Sequence, residues 1–225
     1  MSYPVCCEEM EGNWIAHVLA LPGCFSTGRD PTEALDGVPS AVQSYQMWCA
    51  AHRMECPAPD GPPAGEENVR AWISEGDYEV NAFFAADRPA LREEELPRFV
   101  ALLSLTRADL LASVEGLTAD QLQVTFPGER WPITGVLRHV GGAEWWYLDR
   151  LGLAFPKEEV PEAPFERLTK VRDHFLAQLP ALRSYEGIVT REGEVWSARK
   201  VLRRALWHER DHTGHIGKLR EILGK

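Results

Sequence analysis

Four stretches between residues 96 and 223 repeat apolar side chains at helical spacing, and this pattern constrains the chain most. Leu96–Val114 is apolar at Phe99, Leu102, Leu103, Leu110 and Leu111. Ile133–Leu151 follows Trp131-Pro132, Phe165–Tyr185 forms a third stretch, and Ser197–Leu223 a fourth with Ser197 as its N-cap. Four helices of about 20 residues each predict an antiparallel bundle. A weak internal echo supports pairing the second with the fourth. Trp131, Val136-Leu137-Arg138, Glu144 and Leu151 recur at identical offsets as Trp196, Val201-Leu202-Arg203, Glu209 and Ile216.

The first part reads differently. Tyr3-Val5-Cys7 and Trp14-Ala16-Val18-Ala20 alternate at a period of two, as half-buried strands do, with a turn at Glu11-Gly12-Asn13. A third short strand is expected at Cys24–Ser26. Asp30-Pro31-x-Glu33 has the form of a helix start, because Asp caps, Pro fits the first turn and Glu can reach back. Pro39 predicts a kink or a helix that begins there. Cys56–Gly65 reads as a Pro/Gly linker or long loop, and Val69–Ile73 with Tyr78–Ala85 as a closing strand or hairpin. The domain boundary is expected within Asp87–Pro97, giving an α+β module over 1–90 and an all-α bundle over 91–225.

Charge separates the same two parts. Of 34 acidic and 24 basic side chains, fourteen acids and four arginines fall in residues 1–90, so the net charge of −10 lies there entirely. A phosphate backbone would be repelled by that part, and nucleic-acid binding is not expected, whereas a basic protein partner is permitted. The five cysteines are odd in number and form no C-x-x-C, which argues for reduced, partly buried thiols. The chain has no long apolar run and no basic, apolar leader at its start, so no membrane span and a cytoplasmic location are expected. No G-x-S-x-G, P-loop or dinucleotide fingerprint occurs.

The chemistry concentrates in the last helix, at His208-Glu-Arg-Asp-His212-Thr-Gly-His215. His17, His52 and His174 stand alone. Residues four apart on a helix lie about 6 Å from one another and can aim at one ion. His208 and His215 are separated by about 10 Å along the axis, so an ion takes either the 208/212 or the 212/215 pair. A third ligand has to come from another element, and His139 in the second helix is the candidate. Three neutral imidazoles would leave a fourth position open, as in catalytic metal sites. His208-Glu209-x-x-His212 also satisfies the zinc-protease H-E-x-x-H spacing, but no downstream stretch remains for a distant third ligand. Glu144 and Glu209 are candidates to accept imidazole N–H groups or to act in catalysis; pairing with arginine on a neighbouring helix is the alternative. His215 is the third catalytic candidate. The aromatic run Trp145-Trp146-Tyr147 reads as bundle core.

Two resemblances follow. W-x4-VLRHVGGAEWWYLDRL and RALWHERDHTGHIGKLREIL resemble the DinB/YfiT-like superfamily over residues 93–225. That resemblance implies a four-helix bundle with one divalent metal held by His139, His208 and His212. His215 stands where the family often has Gln. Some relatives are transferases or isomerases that use low-molecular-weight thiols. WIAHVLALPGCFSTGRDPTEALDGVPSAVQSY resembles the HicB antitoxin-like module over residues 1–66, which implies a β-β-β-α-β fold. The expectation is a metal-dependent enzyme acting on a small molecule, a thiol transferase or a hydrolase, with zinc or nickel favoured over iron or manganese and a homodimeric assembly. The rival is a non-catalytic antitoxin-like or ligand-sensing protein with a vestigial metal site.

Overall fold

A computed structural model describes residues 2–57 and 59–224, and they divide into two units. The first comprises Met1–Pro89 and Ile188–Trp196; the second comprises Ala90–Gly187 and Ser197–Lys225.

In the first unit, β1 (Tyr3–Met10) and β2 (Asn13–Val18) form a hairpin. Its two-residue turn, Glu11-Gly12, has positive φ at both positions, the geometry that matches strand twist. β3 (Phe25–Gly28) pairs with β2. Asp30 then caps α1 (Pro31–Asp36) by accepting from the Glu33 N–H at 2.9 Å. The Glu33 carboxylate reaches back to the Arg29 N–H at 2.8 Å. Pro39 does not kink a helix; it sits in the first turn of α2 (Val38–Ala51), where no N–H is needed.

The closing strand differs from the expectation. It is β4 (Pro63–Val69), which starts inside the stretch read as a linker and runs parallel to β1. Pro63 is tolerated because it opens an edge strand, in the sheet order β3-β2-β1-β4. Of the expected hairpin over 69–85, only an isolated bridge between Ile73 and Glu79 forms. β1 is also not half-exposed: Val5, Cys6, Cys7 and Glu8 are all buried. Residues 80–84 cover its second face, where Cys6 packs with Ala82 and Phe84, and Ala82 N–H donates to Glu8 at 2.9 Å. Glu8 accepts from or shares a proton with His17 Nε2 at 2.7 Å, so the buried carboxylate is satisfied.

The second unit holds α3 (Leu96–Ala112), the short α4 (Ala119–Leu122), α5 (Ile133–Arg150), α6 (Pro164–Ser184) and, after the β5–β6 hairpin (Val189–Arg191 and Glu194–Trp196), α7 (Ala198–Ile222). Ser197 caps α7 by accepting from Lys200 N–H at 3.2 Å. Leu110, Ile133, Leu137, Leu168 and Ile216 belong to its apolar core. Gly141 allows α6 to come close to α5: a Cβ there would meet Arg167 Cγ at 2.9 Å. No helix among the described residues is long and apolar enough to cross a membrane.

The hairpin belongs to the first unit although it lies between two bundle helices in sequence. Glu194 accepts from Asn81 N–H at 3.0 Å, and Glu75 N–H donates to Glu192 O at 3.0 Å. No sequence expectation covered this excursion.

At the centre of the bundle four buried charges form a ring. Arg107 on α3 donates to Glu209 (2.6 Å) and Glu144 (2.6 Å), and Arg172 on α6 donates to Glu144 (2.5 Å) and Glu209 (2.8 Å). Each arginine also donates to a backbone carbonyl, Arg107 to Leu168 and Arg172 to Leu103. Thr106 donates its hydroxyl to Glu209. Two positive and two negative groups thus hold α3, α5, α6 and α7 in one rotational setting. Burial alone would raise the Glu209 pKa, but Arg172 and Arg107 outweigh it and hold the carboxyl below its ordinary range.

Candidate metal centre

The ring fixes the faces of α5 and α7, and that setting brings three imidazoles together. His208 is the residue before Glu209, and His212 lies one turn further along α7. His139 comes from α5, five residues before Glu144. His208 Nε2 lies 3.0 Å from His139 Nε2 and 3.1 Å from His212 Nε2. One ring nitrogen from each of the three lies within 4.8 Å of the others. Four tetrahedral ligands at about 2.0–2.1 Å from a zinc ion place neighbouring donors about 3.3 Å apart, close to the 3.0 and 3.1 Å that separate His208 from its two neighbours.

The electrostatics favour neutral rings with lone pairs free to bind. Burial lowers the His208 pKa well below its usual value, and the charges that His212, His139 and Arg204 would carry add to this. Burial, then His139 and His215, takes His212 down to about 3. Burial and the Arg130 charge lower His139. Aromatic rings enclose the cluster: Trp131 lies 4.8 Å from His139, Trp207 5.8 Å and Tyr147 6.1 Å from His208, centroid to centroid. His208 is buried, while His139 and His212 are part-exposed, so the site keeps an open side.

The structure separates the sequence candidates. His139, His208 and His212 converge. His215 does not join them; its Nε2 lies 2.8 Å from Glu129 Oε2, and its ring lies 6.0 Å from that of His212. Glu144 and Glu209 do not receive imidazole N–H groups. Their oxygens serve Arg107 and Arg172, because a carboxylate in the bundle centre needs charged donors more than a ring nitrogen can offer. Of Trp145-Trp146-Tyr147, read as core, Tyr147 is buried with its ring 6.1 Å from that of His208, whereas Trp145 and Trp146 are part-exposed.

A family model of the DinB superfamily matches residues 102–216. The chain belongs to the DinB superfamily. The match includes the three histidines and all four members of the charge ring, and it leaves the first unit outside. A solved structure similar to this DinB-superfamily chain is YfiT from Bacillus subtilis, described as a probable metal-dependent hydrolase with an unusual four-helix bundle topology. It is 18% identical, covers 64% of this chain and 94% of its own, and gives a TM-score of 0.49. No curated protein matches the chain.

Sequence reasoning missed Glu129, Arg130 and Trp131, which border the triad. A signal for them existed in the internal echo. Gly128-Glu129-x-Trp131 stands at the same offset from Gly193-Glu194-x-Trp196 as the two arms of the bundle do from each other. His139, by the same offset, corresponds to Arg204, and His212 to Tyr147. Among the described residues this repeat therefore carries a histidine triad in one of its two equivalent places.

Proposed function

We propose that this DinB-superfamily protein is a divalent-metal-dependent enzyme acting on a small molecule, with His139, His208 and His212 as the metal ligands. The observation that carries the reading is the convergence of three neutral imidazole nitrogens at 3.0 and 3.1 Å beside an open side. Three histidine ligands leave a coordination position for water or substrate. Zinc or nickel suits this donor set best, with iron and manganese as weaker fits. When bound, such an ion acidifies a coordinated water or thiol to near neutrality, which supports a hydrolase or a thiol-dependent transferase.

The chain's own groups add three functions. The charge ring holds α5 and α7 so that the ligand rings stay aligned. Trp131, Trp207 and Tyr147 limit access of bulk water. His215, held by Glu129 at 2.8 Å, stands beside the triad and is placed to accept or return a proton.

The strand order β-β-β-α-β, with the helical step split into α1 and α2, supports reading the first unit as a HicB-like accessory module. Its acidic balance suits a basic protein partner.

Metal analysis of the purified protein, together with hydrolysis of activated esters by loaded and chelator-treated samples, tests the enzyme reading. Wild-type protein that binds neither zinc nor nickel at saturation would end it.

A further inference from the structure

The loop between α4 and α5 borders the triad at two points. Glu129 meets His215, and Trp131 lies against His139. Arg130 stands between them and is exposed. Its Cζ lies 4.5 Å from the Trp131 ring centroid, within cation–π range. Its charge also reaches His139, where it adds to the effect of burial. Among the described residues no carboxylate pairs with Arg130, because Glu129 beside it is engaged by His215.

We propose that Arg130 is a specificity-determining residue that binds an oxyanion on the substrate, so that the metal centre acts on small anionic molecules. The inference rests on the metal reading above and narrows its substrate class. A guanidinium that lies over an indole and has no carboxylate partner keeps N–H groups to offer, and its fork matches carboxylate and phosphate oxygens two at a time. The local charge agrees. A dication held by three neutral imidazoles would, with Arg130 beside it, draw anions to the mouth of the site against the Glu129 carboxylate. Trp131 links the two halves of the recognition, since the same ring touches the Arg130 guanidinium and the His139 ligand.

The test uses the full-length protein loaded with cobalt(II), whose thiolate-to-metal absorption band reports occupancy of the open position. Three thiols serve as probes: 2-mercaptoethanol, 3-mercaptopropionate and 2-mercaptoethyl phosphate. At least one anionic thiol is expected to bind about tenfold more tightly than 2-mercaptoethanol, as a charge-assisted pair provides. The tighter of the two anionic probes identifies the oxyanion. Arg130→Gln should remove the advantage of the anionic probe over 2-mercaptoethanol, and Arg130→Lys should keep part of it. Equal binding of all three thiols by the wild type, or an advantage that survives Arg130→Gln, overturns the proposal. Protein that takes up no cobalt overturns the metal centre itself, a result distinct from a cobalt protein that treats the three thiols alike.

Discussion

Arg107 and Arg172 stand sixty-five positions apart and make the same contacts: each bridges Glu144 and Glu209, and each donates to the carbonyl of the residue four before the other. Glu144 and Glu209, Leu103 and Leu168, and Trp131 and Trp196 share that separation. The bundle is thus a repeat of two helical arms, α3 with α5 and α6 with α7, closed at the centre by a symmetric ring of charge.

The symmetry predicts that Arg107→Met and Arg172→Met cost similar amounts. Each leaves two buried carboxylates with one charged donor instead of two, and breaking a buried pair costs about 3–5 kcal/mol. Replacing all four charged residues with apolar ones of similar volume should cost less than either single change, because no uncompensated charge remains. Urea unfolding of the three variants decides this. One arginine proving dispensable would mean the ring is not the shared clamp described here.

His139→Ala, His208→Ala and His212→Ala should each remove most of the bound metal, because two ligands hold an ion far more weakly than three. His215→Ala should keep near wild-type occupancy. Elemental analysis of variants with verified helicity distinguishes this from the 212/215 register, in which His208 and His215 would exchange behaviour.

Acid should destabilise the metal-free protein in a defined window. In the unfolded chain, histidine titrates near 6.5, whereas burial and the neighbouring His139 and His215 hold folded His212 near 3. Between those values the unfolded chain binds more protons, so stability is complete above about pH 6.5 and declines as pH falls towards about 3. Bound metal should leave in the same range as protons compete for its ligands. Urea midpoints at pH 7.5 and 5 should drop more for wild type than for His212→Leu, and an identical drop would argue against a neutral buried ring.

Cys56 should react first with thiol reagents in the native protein. It is part-exposed, whereas Cys6, Cys7, Cys24 and Cys49 are buried, and burial pushes the Cys7 thiol up to about 11, where little thiolate exists. Mass spectrometry after brief alkylation checks the order of labelling.

Helix positions were legible because periodic apolar residues and caps such as Ser197 and Asp30 act locally. The site was partly legible for the same reason: the i, i+4 spacing of His208 and His212 is a property of one helix. The role of His215 was not, since its neighbour Glu129 comes from a loop far away in sequence. Glu144 and Glu209 were visible as a repeated pair, but their arginine partners emerge only when four helices pack. β4 was hidden by Pro62-Pro63, which reads as a breaker unless the strand is known to lie at an edge.

The β5–β6 hairpin sets an order on how the chain can be made. The first unit draws on Glu192 and Glu194, so it stays incomplete until residue 196 has been synthesised, after three of the four long helices. The helical unit in turn waits for α7, which supplies two of the three converging histidines. Neither unit can finish before residue 196 has been made, and a fragment cut between residues 90 and 187 would carry two unfinished folds rather than one finished and one missing.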